Sequence, residues 1–345
     1  MIGDTETPTA PASAAGGSDG RSGTSRGSGD QHRSVARWFG AVPQESGLVV
    51  FLVLLGTWFT LGSEFFLTGN NIRNILLSVS VLGILAAPST LLLISGNFDL
   101  SIGSAAALCG VTFGMVAESQ SLAVAILAAV GVGLAAGVGN GVLVAYFGIS
   151  SLIVTLGTLS VFRGVAQLRS NGQTTRLDTF RWLGSGEVLG MPVQIGLFII
   201  VVVIFGLVMR YTTFGRSVFA IGSSQQAARL AGIRIRPTLF ALFVLSGLLA
   251  ALAGLILSSQ LRAASPNTAS GLELSVVAAV ILGGASLNGG RGTILGTVLG
   301  VLILGTLNNG LTILSISSFW QEIARGLVLI LAVGLDRVRL RLRGD

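Results

Sequence analysis

The sequence contains no lysine; all 21 basic residues are arginine. A phosphate-binding loop of the GxxxxGK[ST] type needs that lysine, so no ordinary nucleotide-hydrolysing site is expected. Schiff-base chemistry through lysine is excluded for the same reason. Histidine occurs once, at His32, and cysteine once, at Cys109. Together they supply no internal disulfide, no Cys/His metal cluster and no histidine-based triad. No cofactor is expected. Charge is scarce too, at 10% of residues, against about 25% in a soluble domain. A chain of 345 residues with so few charges cannot clothe a water-soluble surface.

What is present fits lipid instead. Hydrophobic residues make up 51% of the chain, and the mean hydropathy is +0.83. The 49 glycines suit membrane helices, whose close packing uses small residues. The net charge of +7 is scattered among hydrophobic runs and forms no single basic stripe, so no nucleic-acid partner is expected.

Residues 1–36 are rich in Gly, Ser, Thr, Ala, Asp and Arg. They lack the apolar groups needed to offset ordering entropy and read as a disordered cytosolic tail. Residues 37–345 read as a transmembrane domain. Ten apolar segments follow Gly47, at approximately 48–66, 74–95, 101–117, 121–147, 149–169, 193–210, 237–258, 272–286, 292–314 and 319–335. The third, fifth and eighth are short or interrupted and suit half-helices. The predicted fold is therefore an all-α polytopic membrane protein of about ten transmembrane segments, some short or broken.

Arginine placement tests that count. Ten crossings put both termini and the 211–236 loop on one side. That side holds Arg21, Arg26, Arg33 and Arg37, then Arg210, Arg216, Arg229, Arg234 and Arg236, then Arg337, Arg339, Arg341 and Arg343. The other side holds Arg73, Arg176, Arg181 and Arg262. Positive residues mark the cytosol, so both termini are expected inside. A weak internal echo links "GNGVLVAYFGISS" (139–151) to "NNGLTILSISS" (308–318). The two lie five segments apart, an odd offset that implies inverted orientation.

The loop 211–236 carries "GSSQQAARLAGIRIR". Ser223 with Gln226 fits a capping box, and Gly232 fits a left-handed helix end. Ala227, Leu230 and Ala231 would share one face. A helix of about two turns, near 12 Å long, is expected here. It is too short to be stable alone, so it needs lipid headgroups or a protein partner to dock on.

"LLLISGNFDLSIGS" places Asp99 among Gly96, Asn97, Ser101 and Gly103. A carboxylate at membrane depth is costly and usually functional. The plainer alternative is a helix cap bonding the amide of Ser101 or Ile102. Glu273 opens a later apolar segment, where the helix dipole favours it. The "LNGGRG" that follows reads as a tight cytosolic turn or a helix break. Thr155, Thr158, Ser160, Asn308 and Asn309 are neutral polar groups inside apolar runs. Most such groups bond their own helix or a neighbour, and a minority line a path. The candidate path set is Asn97, Asp99, Ser101, Thr155, Thr158, Glu273, Asn308 and Asn309.

"SGNFDLSIGS", "LIVTLGTLSVFRGV", "GSSQQAARLAGI", "LSGLLAALAGLILSSQL" and "VAAVILGGASLNGGRGTILGTVLGVLILGTLNNGL" resemble the permease subunits of bacterial ATP-binding-cassette importers for simple sugars. These are the ribose, xylose and autoinducer-2 permeases, of the type II importer architecture. The resemblance covers roughly residues 65–335. It departs at Asn97, where the family more often has glycine. It implies a bacterial inner-membrane location, a second permease copy or paralogue, cytosolic ATPase subunits and an external sugar-binding protein. It also implies that Ser224 to Ala231 is a coupling helix gripped by the ATPase. The coupling set is then Ser223, Ser224, Gln225, Gln226, Ala227, Ala228, Arg229, Leu230, Ala231 and Gly232. The outer loop with Arg176, Asp178, Arg181 and Glu187 would receive the binding protein. The alternative from a different class is an ion-coupled secondary transporter using Asp99 and Glu273. A passive channel ranks below both, because the loop helix would have no role there. A membrane-embedded enzyme ranks last for want of a convergent catalytic set.

Overall fold

Apolar runs of about twenty residues become helices because lipid offers the backbone no partners, so each run must bond itself. The computed structural model describes residues 44–177, 180–324, 326–328, 330 and 334. All lie in one unit that begins at Gln44. The predicted N-terminal tail and the C-terminal arginines lie outside the described residues.

The long helices are α1 (Gln44–Gly62), α2 (Gly69–Ile94), α3 (Ile102–Ala117), α4 (Leu122–Gly141, continued by a π turn Val142–Tyr146) and α5 (Ser151–Ser170). A loop with strand β1 (Thr175–Arg176), a short α6 (Trp182–Ser185) and the hairpin β2 (Glu187–Val188) and β3 (Met191–Pro192) leads to α7 (Val193–Tyr211). Two short helices follow, α8 (Thr213–Ser223) and α9 (Gln225–Leu230). Then come α10 (Ile235–Leu261), β4 (Ala263–Ala264), α11 (Leu272–Leu282) and α12 (Ile294–Ile313). Residues 318–324 open a further helical stretch.

Contacts between helix ends sort the chain into two faces. On one face the Thr293 hydroxyl donates to Glu45 Oε1 at 3.1 Å. There too the Gly290 amide donates to the Ile94 carbonyl at 2.8 Å, and the Phe98 amide to Ser151 Oγ at 3.2 Å. On the opposite face β1 pairs antiparallel with β4, Arg73 pairs with Glu187, and Leu314 packs on Gly62. From α1 onward the chain therefore alternates between faces, and the stretch from 318 begins a tenth passage. Among the described residues, seven helices are long and apolar enough to span a bilayer. Of the three segments expected to be short or broken, α3 and α11 are short. The 151–170 segment is instead a continuous helix of 20 residues. The echo segments 139–151 and 308–318 lie on opposite faces, as an inverted relation requires.

Helix α2 is buried from Val79 through Ile94 without a break. A helix apolar all round belongs in the centre, and α7, α10, α11 and α12 surround it. The outer helices keep large apolar side chains exposed, among them Trp58 on α1, Leu168 on α5 and Ile200 on α7. Lipid is the solvent that accepts them. Helices α4 and α10 cross so closely that a side chain at Gly247 would strike the Gly133 backbone, the small-residue contact typical of membrane interfaces.

Helices α3 and α11, at 16 and 11 residues, span about 24 and 16 Å, short of a hydrocarbon layer of about 30 Å. The chain before each must therefore dip into the membrane. These are the breaks at 95–101 and 265–271.

Candidate functional site

Both breaks converge on the first turn of α3. Asp99 is buried in the first break. Its Oδ1 accepts the Ser101 amide at 3.0 Å and the Ser101 hydroxyl at 2.6 Å. Its Oδ2 accepts the Ser246 hydroxyl of α10 at 2.5 Å. Ser101 in turn accepts from Asn140 Nδ2 of α4 at 2.8 Å. Burying a carboxylate is tolerable only with such a full set of donors. Asp99 is not the helix cap that the plainer alternative expects: Ser101 holds that position, and Asp99 bonds its amide from the turn before. The same carboxylate also ties two distant helices to the break. Asn97 is buried beside it, its Nδ2 donating to Ser95 O and Ser95 Oγ, each at 3.2 Å.

Glu273 reaches the same place from the second break. Its Oε1 accepts the Gly271 amide at 3.2 Å. Its Oε2 is buried without a hydrogen-bond partner and lies against Gly103, where no side chain would fit. Arg163 of α5 holds this loop, its Nη1 donating to the carbonyls of Pro266 at 2.6 Å and Thr268 at 2.9 Å.

The other path candidates do not join this group. Thr155 donates to Ser151 O at 2.8 Å and Thr158 to Thr155 O at 3.4 Å, both within α5. Asn309 exchanges amide bonds with Asn71 of α2, at 2.8 and 2.9 Å. The Oδ1 of Asn308 is buried and unpartnered. Both asparagines sit towards the opposite end of α12, near Leu314 and Gly62.

Asn71, Asn140, Arg163 and Ser246 were not singled out from sequence. Arg163 and Asn140 carried a usable signal, since each is polar or charged inside an apolar run, the rule that selected Asp99. Ser246 carried none, because a serine in a membrane helix commonly bonds its own backbone.

The 211–236 loop contains two helices where one was expected. The segment expected to couple is a helix of six residues, Gln225–Leu230, about 9 Å long rather than 12 Å. Its cap is Ser224, which accepts the Ala227 amide at 3.2 Å, and not Ser223 paired with Gln226. The Ser223 hydroxyl donates back to Phe219 O at 2.9 Å as part of α8. Ala228 packs inward, whereas Ala227, Leu230 and Ala231 are exposed, Leu230 by 85%. Gly232 ends the helix with φ of +77°, as expected. Its amide donates to Arg229 O at 3.0 Å, and that of Ile233 to Ala228 O at 3.0 Å. Ser224, Gln225, Gln226, Arg229 and Leu230 thus form one exposed knob.

On the opposite face, Arg176 and Arg181 are exposed, and Glu187 pairs with Arg73. Asp178 lies outside the described residues.

The profile of the family described as "Branched-chain amino acid transport system / permease component" matches residues 71–333. The chain belongs to this permease family. The ribose import permease protein of Escherichia coli is 40% identical over 300 residues, covering 85% of this chain and 93% of that protein. The L-arabinose ABC transporter permease protein of Azospirillum brasilense is 41% identical over 298 residues, covering 85% and 88%. The ribose import permease protein of Bacillus subtilis is 39% identical over 304 residues, covering 87% and 94%. No solved structure gives a significant match. The chain is a multi-pass membrane permease.

Proposed function

We propose that this permease forms the translocation path of an ATP-driven importer for a simple sugar in the bacterial inner membrane. A second permease copy or paralogue completes the path. Cytosolic ATPase subunits drive it, and an external binding protein delivers the sugar. Both termini and the α8–α9 loop face the cytosol. The observation that carries this reading is near-complete coverage of ribose and arabinose permeases at about 40% identity. The absence of lysine supports a separate ATPase chain.

The α9 knob serves as the ATPase contact, with Arg229 and Leu230 at its tip. Arg176, Asp178, Arg181 and Glu187 serve as the landing place of the binding protein. Within the path, sugar hydroxyls are donors, and two buried acceptors near the breaks without a partner are Glu273 Oε2 and Asn140 Oδ1. Asp99 has its oxygens already occupied, so it shapes the path through Ser101 and Ser246 rather than by gripping sugar.

The family description suggests a branched-chain amino acid as a second cargo. The named relatives, which match nearly end to end, favour a pentose. Uptake of labelled D-ribose, L-arabinose and L-leucine into cells expressing the complete importer separates these, and leucine alone would reject the sugar. Ion coupling through Asp99 and Glu273 is not favoured, because Asp99 has both oxygens bonded. Uptake driven by an ion gradient in liposomes holding only this chain would revive it.

A further inference from the structure

The glycine-rich "LNGGRG" segment and the end of α8 meet at one backbone atom, the carbonyl oxygen of Ile94. Ile94 is the last residue of α2, directly before the break that carries Asp99. The Gly290 amide donates to this oxygen at 2.8 Å. Gly222, in the last turn of α8, lies against the same oxygen so closely that any β-carbon would overlap it. A β-carbon at Gly290 would come within 2.9 Å of Ser223 Oγ and 3.2 Å of its Cα, and one at Gly289 within 2.9 Å of Gly222 O. Gly289 and Gly290 adopt φ of +83° and +73°, which suits glycine. Three chain segments thus touch mainly through bare backbone, with the short Ser223 side chain against Gly290.

We propose that Gly222, Ile94 and Gly290 form a rigid joint that carries the motion of the α9 knob to the Asp99 break. Gly222 and Gly290 are positioning residues for transport. Interdigitated side chains could slip past one another by changing rotamer, whereas a backbone contact backed by an amide bond cannot. From Ile94 the chain reaches Asn97 in three residues, and Phe98 is tied to Ser151 of α5. Asp99 then engages α10 through Ser246, and Ser101 engages α4 through Asn140. A push on α9 therefore arrives at the buried end of α3.

The inference rests on the coupling-knob reading, and the experiment keeps the two apart. The permease is purified with its ATPase in a Cys109→Ala background. In a Ser223→Cys/Gly290→Cys pair, a rigid joint gives equal oxidative cross-linking with ADP and with ATP plus vanadate. Cross-linking in only one nucleotide state overturns the proposal. In an Asn97→Cys chain, maleimide reacts at different rates in the two states. Adding Gly222→Ala abolishes that difference while the ATPase still co-purifies. A rate at 97 that ignores nucleotide, or a difference that survives Gly222→Ala, overturns the joint alone. ATPase retained by an Arg229→Glu/Leu230→Asp chain overturns the coupling knob, and with it the drive on the joint. Should Gly222→Ala not assemble, the cross-linking comparison decides.

Discussion

Ser246 donates its hydroxyl to Asp99 Oδ2 at 2.5 Å, from a position 147 residues further along the chain. That bond joins a mid-helix residue of α10 to the break before α3. Asparagine can keep the geometry, with its oxygen towards Ser101 and its amide donating to a reoriented Ser246 hydroxyl. Asp99→Asn is therefore expected to assemble normally. Asp99→Leu strands the Ser101 and Ser246 donors, at about 1–3 kcal/mol for each buried unpaired group. Thermal unfolding in detergent should rank wild type and Asp99→Asn close together and Asp99→Leu well below. Equal melting of all three would refute the bonding role. Transport in Asp99→Asn then reports whether the negative charge itself is needed.

The α9 knob depends on its two ends. Ser224→Ala removes the only side-chain cap of a helix of six residues, a loss of about 0.5–2 kcal/mol. Gly232→Ala forces a β-carbon into a left-handed conformation, at about 1–2 kcal/mol. If the ATPase binds the folded knob, each substitution weakens binding by about tenfold, the equivalent of about 1.4 kcal/mol. Equilibrium binding of the ATPase to solubilised permease measures this. Undiminished binding would mean that the partner grips another surface.

Helix number and alternation were legible because lipid imposes one simple rule on length and hydropathy. Asp99 and Glu273 were legible because a carboxylate in an apolar run has few excuses. Their convergence on the first turn of α3 was not, since neither break announces how far it dips. The cap of α9 was misplaced by one residue because Ser223 and Ser224 are adjacent and local pattern fits either. Tertiary contact decides: Ser223 belongs to α8, which had no signal separate from the loop. That Ala228 is the residue of α9 facing inward was not legible for a similar reason. Ala228 faces inward because α8 and α10 meet there, and sequence spacing within six residues cannot say where neighbours lie. The structural reason for Gly222 and Gly290 emerges only when three remote segments are seen to share one carbonyl.

Arg163 lies within α5 with its guanidinium spent on the carbonyls of Pro266 and Thr268. A cation at membrane depth needs bonding partners, and the half-buried Arg163 finds them in these two carbonyls. Arg163→Gln should loosen residues 265–271 and raise amide hydrogen exchange there without changing exchange in α9. Arg163→Lys should restore protection in part, because an ammonium is a point donor without the planar fork. Unchanged exchange in Arg163→Gln would show that the loop holds itself.

Asn71 and Asn309 exchange two amide bonds between α2 and α12, and Asn71 also donates to Phe66 O at 2.8 Å. Removing one partner leaves a buried polar group unpaired, whereas removing both replaces a polar pair by an apolar contact. Asn309→Leu should therefore destabilise modestly, because Asn71 keeps its bond to Phe66. Asn71→Leu should cost more, since it strands both Asn309 and the Phe66 carbonyl. The double substitution should cost less than the sum of the two, with a coupling near the average of about 0.6 kcal/mol for membrane side-chain hydrogen bonds. A double-mutant cycle on detergent melting measures it. Strict additivity would mean that the two amides do not act as a pair. In that case the junction between α2 and α12 would rest on its apolar contacts, among them Val79 packed on Gly305.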